Sequence, residues 1–493
     1  MMKYNKYLYY IPIILFALIL IIKLLQLSKM IYLFPSYDFS GHLSFLYFLK
    51  EYGFHNFNPN WYNAYGGDIV LMLYPPGFSF YSLVFYQFID NIQLAFYLSI
   101  AFLHVIGFIG ILILGKVLKF SYIKRIFLFL FFYANPVSIP WFYFNGRLPE
   151  MLAWTLSFYL LAIIFYYKNK KLDKKFYILT PIIFSLMLLS HPLITLLFAI
   201  FFLGLFLIKS NKEKTKIILS CLFILILTSF WLIDFIKGYN IIAAYTPSYR
   251  IYEHPTEVFY SILFPLLFFI ILFFNIKIKK VIMKKEILFY LPLMLIALLY
   301  ITRLFLLIPV LRSIEPRSYG ILLILISSLL ILNLKINKKA PKLIYFVTFF
   351  ILIIIPIISF VRYYEPLGFS LYTEDNKDIL TILPTVKDSF IAIGKNSYAM
   401  HHLYSFAAVK YNLTTPFGWG MQEIQPEVKR DKKDLETSIN NKDCKSFSMV
   451  IEKLNVKEII AYKDKCDFLK TCNLNVKAKT ENYCHLIVNN FGY

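Results

Sequence analysis

Charged residues are scarce in this 493-residue chain, where Asp, Glu, Lys and Arg together make up only 16%. Soluble globular proteins contain about 25% charged residues, so the composition excludes that class. In their place, 59% of the residues are hydrophobic and 19% are aromatic, with a mean hydropathy of +0.64. Apolar runs of roughly 16 to 22 residues recur along residues 1–361. As a helix, each run is long enough, or nearly long enough, to cross a membrane core of about 30 Å. The sequence predicts a mainly α, polytopic helical membrane protein.

Acidic residues are fewer than basic residues: the chain has 28 Asp and Glu and 51 Lys and Arg, which gives a net charge of +23. The excess does not predict a nucleic-acid partner, because the basic residues lie in short loops between apolar runs rather than on one face. Such loops are typical of the positive-inside pattern, which orients membrane helices. We expect these loops to be cytoplasmic: Lys116–Arg125, Lys168–Lys175, Lys209–Lys216, Lys277–Lys285 and Lys335–Lys342.

The alternation of these loops predicts the topology. With a cytoplasmic N-terminus, residues 1–361 contain about 11 spans, and the C-terminus lies outside a plasma membrane. The first apolar stretch lacks a small-residue cleavage site, so we interpret it as an uncleaved span. Only one further span fits between the first span and the basic loop Lys116–Arg125, so 75–90 either lies along the outer surface or re-enters it, and we interpret it as an interfacial helix. The predicted spans lie near 8–28, 93–114, 126–144, 150–167, 176–190, 192–208, 217–236, 258–276, 287–302, 319–334 and 343–361.

Polar residues return from residue 362 to the end. Short β-rich runs at 390–393, 456–462 and 485–488 alternate with a helical pattern at 447–454. We interpret 362–493 as a small extracytoplasmic α/β domain following the transmembrane domain 1–361. The triplet Asn412-Leu413-Thr414 fits a glycosylation sequon, consistent with an outside location.

Cysteine is rare, and four of the five cysteines lie in this C-terminal segment. An even number in an external domain favours two disulfides, for which three connectivities are open. We favour Cys466 with Cys472 and Cys444 with Cys484; four reduced, buried thiols are the alternative.

The first outer loop contains the motif that most indicates catalysis, Asp38-Phe39-Ser40-Gly41-His42. If a helix begins at Phe39, Asp38 lies at its start and His42 lies one turn further along the same face. A carboxylate in an aromatic-rich loop can act as a general base, or bind a divalent metal with a neighbouring histidine. The structural alternatives are a helix cap for Asp38 and an ordinary interfacial histidine for His42.

The order of features in this loop resembles the membrane-integral C-type (GT-C) glycosyltransferases. These features are a first span, Asp38, an amphipathic helix, Trp61, Gly66-Gly67 and then Tyr74-Pro75-Pro76 at the head of an interfacial helix. The resemblance is loose over the whole chain and specific over 38–78. It is closest to multispanning prokaryotic members with DxxxH and YPP motifs.

The resemblance implies an enzyme that moves a sugar from a polyprenyl-phosphate donor to an acceptor at the outer surface of the membrane. The acceptor is a glycan, a lipid or a protein. Asp38 matches the acidic residue of the family's first loop, which orients or deprotonates the acceptor or helps to hold a metal, here Mg²⁺ or Mn²⁺ shared with His42. That motif often has two acids, whereas this chain has one, which leaves metal dependence open.

A lipid phosphate is an anionic leaving group, and a guanidinium near the headgroups stabilises it best. Arginines at predicted outer span ends are therefore substrate-binding candidates, although each can instead anchor a helix or pair with a glutamate. The predicted substrate-binding set is Arg147, Glu150, Arg312, Arg317, Trp61, Asp68 and His191.

Two other functions fit a basic multispanning protein: a flippase of lipid-linked saccharides and a non-catalytic scaffold. A transport path needs ionisable residues at mid-membrane depth, and the predicted spans have very few. The acids cluster outside the spans, which favours chemistry at one surface.

Overall fold

The computed structural model describes most of the helical region and of the C-terminal domain. The described residues are 14–18, 20–22, 38–52, 74–134, 138, 142, 146–243, 259–279, 283–308, 311, 314–333, 374–395, 401–417 and 426–489. Most of the predicted first span, the whole of the predicted span 343–361, and Trp61, Asp68 and Arg312 lie outside these residues.

Helices dominate the membrane part. In chain order they are α1 (Phe39–Tyr52), α2 (Gly77–Tyr86), α3 (Ile92–Val117), α4 (Tyr122–Tyr133), α5 (Leu148–Tyr167), α6 (Lys174–Ser190), α7 (Pro192–Leu207), α8 (Asn211–Ala243), α9 (Phe264–Lys279), α10 (Met283–Ile301) and α11 (Pro316–Leu332). Capping side chains fix several starts. Asn91 accepts a bond from Leu94 N before α3, and Asp173 accepts bonds from Lys175 N and Phe176 N before α6.

Within the described residues, four helical stretches are long and apolar enough to cross a membrane: Ile92–Val117, Leu148–Tyr167, Asn211–Lys237 and Tyr260–Lys277. The shorter helices α7 and α11 are also apolar. Helices α3 and α5 to α11 occupy the positions of predicted spans, which confirms a mainly helical membrane protein. The predicted number of spans is not confirmed. Helix α4 ends at Tyr133, where a span to 144 is expected, and most of 135–145 lies outside the described residues.

Helix α5 is the core of the bundle. Most of its side chains are buried, including Trp154 and Phe158 at 0% exposure. By contrast, α8 and α9 expose large apolar side chains such as Ile226 and Phe273. Outward apolar side chains are costly in water and favourable in lipid, so these two helices form part of the lipid-facing surface.

Helix α2 has ten residues and is about 15 Å long, half of a membrane core. It lies against the C-terminal end of α6, where a Cβ added to Gly77 would meet the backbone carbonyl of Leu189 at 2.8 Å. Glycine permits this close approach because it has no side chain. The length of α2 agrees with a helix that does not span, and its interfacial position stays a prediction.

The C-terminal region is a small α/β domain. Its helices are α12 (Glu374–Ile382), α13 (His401–Tyr411), α14 (Pro426–Asn440), α15 (Cys444–Lys453) and α16 (Lys463–Thr471), and its strands are β1 (Phe390–Ile393), β2 (Glu458–Tyr462), β3 (Asn475–Lys479) and β4 (Tyr483–Ile487). The sheet order is β1-β2-β4-β3. Strands β1 and β2 are parallel, and the other pairs are antiparallel. The predicted β-rich runs are confirmed as β1, β2 and β4.

The four cysteines of this domain form two disulfides, as expected, but the favoured connectivity is wrong. The pairs are Cys444–Cys472 and Cys466–Cys484, with Cα atoms 5.2 and 6.1 Å apart. Cys466 lies on α16 and Cys472 caps its C-terminal end, so the helix separates them by about 9 Å along its axis, beyond disulfide reach. Strand β4 instead brings Cys484 opposite Ala461 at the end of β2, and α16 starts from that end.

The two regions meet at the start of the bundle. Helix α13 packs directly against α1, the helix that follows Asp38. Both helices have buried apolar side chains, among them Leu403 and Ala407 on α13 and Leu43 and Leu46 on α1. The C-terminal domain therefore supports the helix that carries the predicted catalytic pair.

Candidate active site at the start of three helices

Asp38 lies where α1 begins. Its carbonyl oxygen accepts the bond from His42 N at 2.9 Å, the first turn of the helix. Its carboxylate lies against another element, with Oδ2 3.7 Å from Nε of Arg147. This separation is longer than a hydrogen bond, so the contact is electrostatic. The predicted position of Asp38 at a helix start is confirmed.

His42 lies one turn further along α1 and is almost completely buried. Its Nε2 donates to the carbonyl oxygen of Gly146 at 3.1 Å. Its ring packs on Tyr74 and Phe78, with centroids 5.5 and 5.8 Å away. Burial lowers the pKa of His42 from 6.5 to about 3, although the bond to Gly146 opposes the change. His42 is therefore neutral, with its proton on Nε2.

Gly146 precedes Arg147 and has a left-handed backbone, with φ of 68°. That conformation costs glycine little, and it turns the chain into α5. Because His42 holds the Gly146 carbonyl, one side chain of α1 fixes the residue before Arg147. The motif thus links its histidine to the position of an arginine on another helix.

Arg147 lies between two carboxylates. In addition to Asp38, Oε1 of Glu315 lies 3.9 Å from Nη2. Burial alone would lower the pKa of Arg147, but Asp38, Glu315 and Glu150 together raise it above its ordinary value. The arginine side chain is 38% exposed. It is a permanently charged donor group with an accessible surface, next to the starts of α1, α5 and α11.

Glu150 joins α5 to α11. It is 3% exposed, and its Oε1 accepts from Nε1 of Trp154 at 3.1 Å and from Oγ of Ser318 at 3.3 Å. A buried carboxylate needs such partners, because an unpaired one is very costly. Glu150 therefore aligns the two helices that carry Arg147 and Glu315. It was predicted in the substrate-binding set, and its contacts support a positioning role.

Tyr74 and Glu315 belong to this cluster, although the sequence did not place them in the site set. The pKa of Tyr74 is raised by burial and, in addition, by Asp38 and Glu150. Both residues stand directly before a proline near a helix start: Glu315 precedes Pro316, the first residue of α11, and Tyr74 precedes Pro75, two residues before α2. That shared pattern was the signal available in the sequence.

His191 lies between α6 and α7 and caps α7, since its Nδ1 accepts from Ile194 N at 3.3 Å. Burial lowers its pKa from 6.5 to about 4, with a further contribution from Arg147. The histidine is thus within electrostatic reach of the cluster, as its inclusion in the set requires. Arg317 instead lies over the Tyr260 ring, with its guanidinium carbon 5.8 Å from the centroid.

The geometry does not favour a metal ion held by Asp38 and His42. The histidine uses Nε2 as a donor to a carbonyl, and the Arg147 cation lies beside the carboxylate. In the part of the chain that the structure describes, three or more His, Cys, Asp or Glu side chains do not group as a metal site. Metal dependence stays a prediction that rests on Asp38.

Comparison with known proteins gives a likeness in fold. No family model matches the sequence, and no curated protein matches it. Among solved structures, the chain is similar to the archaeal oligosaccharyltransferase AglB from Archaeoglobus fulgidus, in complex with an inhibitory peptide and a dolichol-phosphate. The TM-score is 0.54 at 11% identity, over 94% of this chain and 70% of that chain. The chain is also similar to the arabinofuranosyltransferase AftD from Mycobacteria, with a TM-score of 0.47 at 12% identity, over 90% of this chain and 36% of that chain.

The likeness to AglB confirms a GT-C-like fold for this chain. At this identity it concerns the fold alone, so the chemistry has to be inferred from the site.

Proposed function

We propose that this membrane protein is a glycosyltransferase that uses a polyprenyl-phosphate sugar donor at the outer surface of the plasma membrane. The observation that carries the proposal is Arg147 between Asp38 and Glu315, at the end of a GT-C-like bundle. The structure of AglB contains a dolichol-phosphate, which supports a donor of that chemical class. The acceptor is a hydroxyl group of a glycan, a lipid or a protein.

Arg147 is the proposed contact for the donor phosphate. Its guanidinium lies 3.7 Å from Asp38 Oδ2 and 3.9 Å from Glu315 Oε1, so its charge is shared between two carboxylates. A phosphate oxygen at hydrogen-bond distance would compete well for the guanidinium. Donor binding would then weaken the electrostatic contact between Arg147 and Asp38.

Asp38 is the proposed base. The acceptor oxygen attacks the anomeric carbon and loses its proton to the Asp38 carboxylate, while the bond from that carbon to the phosphate oxygen breaks. The lipid phosphate leaves as an anion beside Arg147. One displacement inverts the anomeric centre, and a positioned base contributes typically about 10²- to 10⁴-fold to such a step.

His42 and Glu150 are positioning residues in this scheme. His42 holds the Gly146 carbonyl beside Arg147, and Glu150 ties α5 to α11 through Trp154 and Ser318. Neither role requires a change of protonation during turnover. If Mg²⁺ or Mn²⁺ binds, Asp38 is the residue that would hold it, and the ion would stabilise phosphate charge.

The test is sugar transfer by the full-length protein in lipid vesicles that contain a polyprenyl-phosphate sugar. Asp38→Asn keeps size and removes both the basicity and the charge that competes for Arg147, so we expect donor binding as strong as in the unaltered protein or stronger, and a loss of transfer of at least about 100-fold. Asp90→Asn is the matched control, since Asp90 is exposed and lies beyond α2. Full transfer by Asp38→Asn would contradict the role of base.

The same vesicles separate the alternatives. Movement of the lipid-linked sugar between leaflets without transfer would support a flippase. Neither transfer nor movement would support a scaffold. Adding or chelating Mg²⁺ and Mn²⁺ in the transfer assay tests metal dependence.

A further inference from the structure

A second polar site lies at the opposite end of the bundle from Arg147. Arg147 and Lys168 flank the two ends of helix α5, whose 20 residues are about 30 Å long, the thickness of one membrane core. The C-terminal ends of α3, α5, α9 and α11 and the start of α10 enclose a cavity of about 250 Å³ there.

The cavity has a polar wall and an apolar wall. Lys119, Lys168, Asn275 and Asn333 contribute polar side chains, and the apolar side includes Phe165 and Leu329. Among the described lining residues, Glu286 is the one acid. A charged or polar group with an apolar body matches such a lining better than a fully hydrated ion does.

Lys168 is the buried cation of this cavity. Its side chain is 11% exposed, and its Nζ lies 2.6 Å from Oε2 of Glu286 and 4.3 Å from the centre of the Phe289 ring. An ammonium group has three N–H donors, so the bond to Glu286 leaves donors for a further acceptor. The ion pair also keeps the lysine inside the bundle.

Lys119 is the second cation of the cavity lining. It follows α3 with a left-handed backbone, φ of 57°. Nearby lysines are engaged with the chain itself: Lys124 donates to the carbonyl of Leu332, and Lys285 donates to Oδ1 of Asn169. Within the part of the chain that the structure describes, Lys119 Nζ has no such partner.

We propose that this cavity binds the phosphodiester headgroup of an anionic lipid from the leaflet opposite the Asp38 site. Lys119 and Lys168 contact the phosphate, the asparagines bond to headgroup oxygens, and the Phe165 side contacts the glycerol and upper acyl chains. The basic loops that surround this end draw anionic lipid towards it, and basic pockets between membrane helices on this face suit such headgroups. The site is separate from the proposed transfer chemistry.

The test uses purified full-length protein in a neutral detergent, titrated with short-chain phosphatidylglycerol. Binding and the shift in unfolding temperature are measured, with short-chain phosphatidylcholine and inorganic phosphate in parallel. We expect saturable binding of phosphatidylglycerol, weaker binding of phosphatidylcholine, and no saturation by phosphate over the same range. Equal binding of both lipids would overturn the proposal.

Variants locate the site. Lys119→Asn removes the charge at a backbone position that asparagine tolerates, and we expect about fivefold weaker binding of phosphatidylglycerol. Lys116→Asn is the matched control, because Lys116 is exposed on the last turn of α3 and does not line the cavity. The double variant Lys168→Gln with Glu286→Gln removes the buried pair without leaving one charge behind, and it should also weaken binding.

Unchanged binding in both cavity variants would overturn the proposal, as would an equal loss in Lys116→Asn, which would indicate diffuse surface attraction. Inorganic phosphate that binds saturably and displaces phosphatidylglycerol would assign the cavity to a soluble phosphate instead of a lipid.

Discussion

Arg147 and Asp38 face each other across two elements, with Nε and Oδ2 3.7 Å apart at the starts of α5 and α1. Glu315 approaches the same guanidinium from α11 at 3.9 Å. Two carboxylates around one arginine keep a cation at this surface when no substrate is bound. In the proposed reaction, an anionic donor would replace Asp38 as the charge partner of Arg147, so donor binding would release the proposed base.

Arg147 should matter more for donor binding than Arg317. Arg147→Lys keeps the charge and loses the planar donor fork. We expect about 10- to 100-fold weaker donor binding, the value of one or two charge-assisted hydrogen bonds. Arg317→Lys is the control, since Arg317 lies over Tyr260. Donor affinity is measured in detergent with a polyprenyl-phosphate sugar, and equal losses in the two variants would refute the assignment.

His42 should make the protein less stable in acid. Its pKa is lowered by burial from 6.5 to about 3, so the unfolded chain binds a proton first as the pH falls below about 6.5. Stability is therefore complete above that pH and decreases between about 6.5 and 3. The unfolding temperature of His42→Phe should fall less steeply over this window, because phenylalanine keeps the ring and does not titrate.

The same variant tests the bond to Gly146. At neutral pH, loss of that bond should cost about 0.5 to 1.5 kcal/mol of unfolding free energy. Transfer should drop, because the residue before Arg147 is no longer held. Full activity in His42→Phe would show that the bond does not position Arg147.

Glu150 should tolerate glutamine better than alanine. Glu150→Gln keeps an acceptor for Trp154 Nε1 and Ser318 Oγ, whereas Glu150→Ala leaves both donors buried and unpaired. We expect Glu150→Ala to lose about 1 to 3 kcal/mol of stability for each orphaned donor, and Glu150→Gln to lose much less. Thermal unfolding of both variants measures the difference. Equal losses would mean that charge, rather than hydrogen bonding, sets the role of Glu150.

The parts of the site that follow from local pattern were predictable. The helical repeat alone places Asp38 at a helix start and His42 one turn later. In the C-terminal domain, a β-rich run likewise predicted the strand Phe390–Ile393, which is β1. Pairing of Arg147 with a glutamate was among the alternatives, whereas its contact with Asp38 was not predictable, because that contact depends on how the starts of α1 and α5 meet. Arg317 and Arg147 are both arginines at predicted outer span ends, and it is the structure that distinguishes them, with Arg317 over the Tyr260 ring and Arg147 beside Asp38.

The disulfides show the same limit. Cys466 and Cys472 are close in sequence, but one helix holds them apart, and the strand order brings Cys484 to Cys466. Mass spectrometry of unreduced peptides should recover Cys444 with Cys472 and Cys466 with Cys484. Replacing Cys466 and Cys484 by serine together should cost about 2 to 4 kcal/mol in the stability of the C-terminal domain. Peptides joining Cys444 to Cys484 would contradict this connectivity.

The orientation of the bundle is the last prediction. Because the basic loops favour the cytoplasm, the Asp38 site and the C-terminal domain should face outward and the Lys168 cavity inward. Single cysteines at Asp90 and Lys410, two exposed positions, should react with an impermeant thiol reagent on intact cells after the free cysteine Cys221 is replaced and the two disulfides are kept. A cysteine at the exposed Lys171 should react only after the membrane is opened. Labelling of Lys171→Cys on intact cells, with protection of the other two, would reverse the orientation and place the proposed transfer site in the cytoplasm.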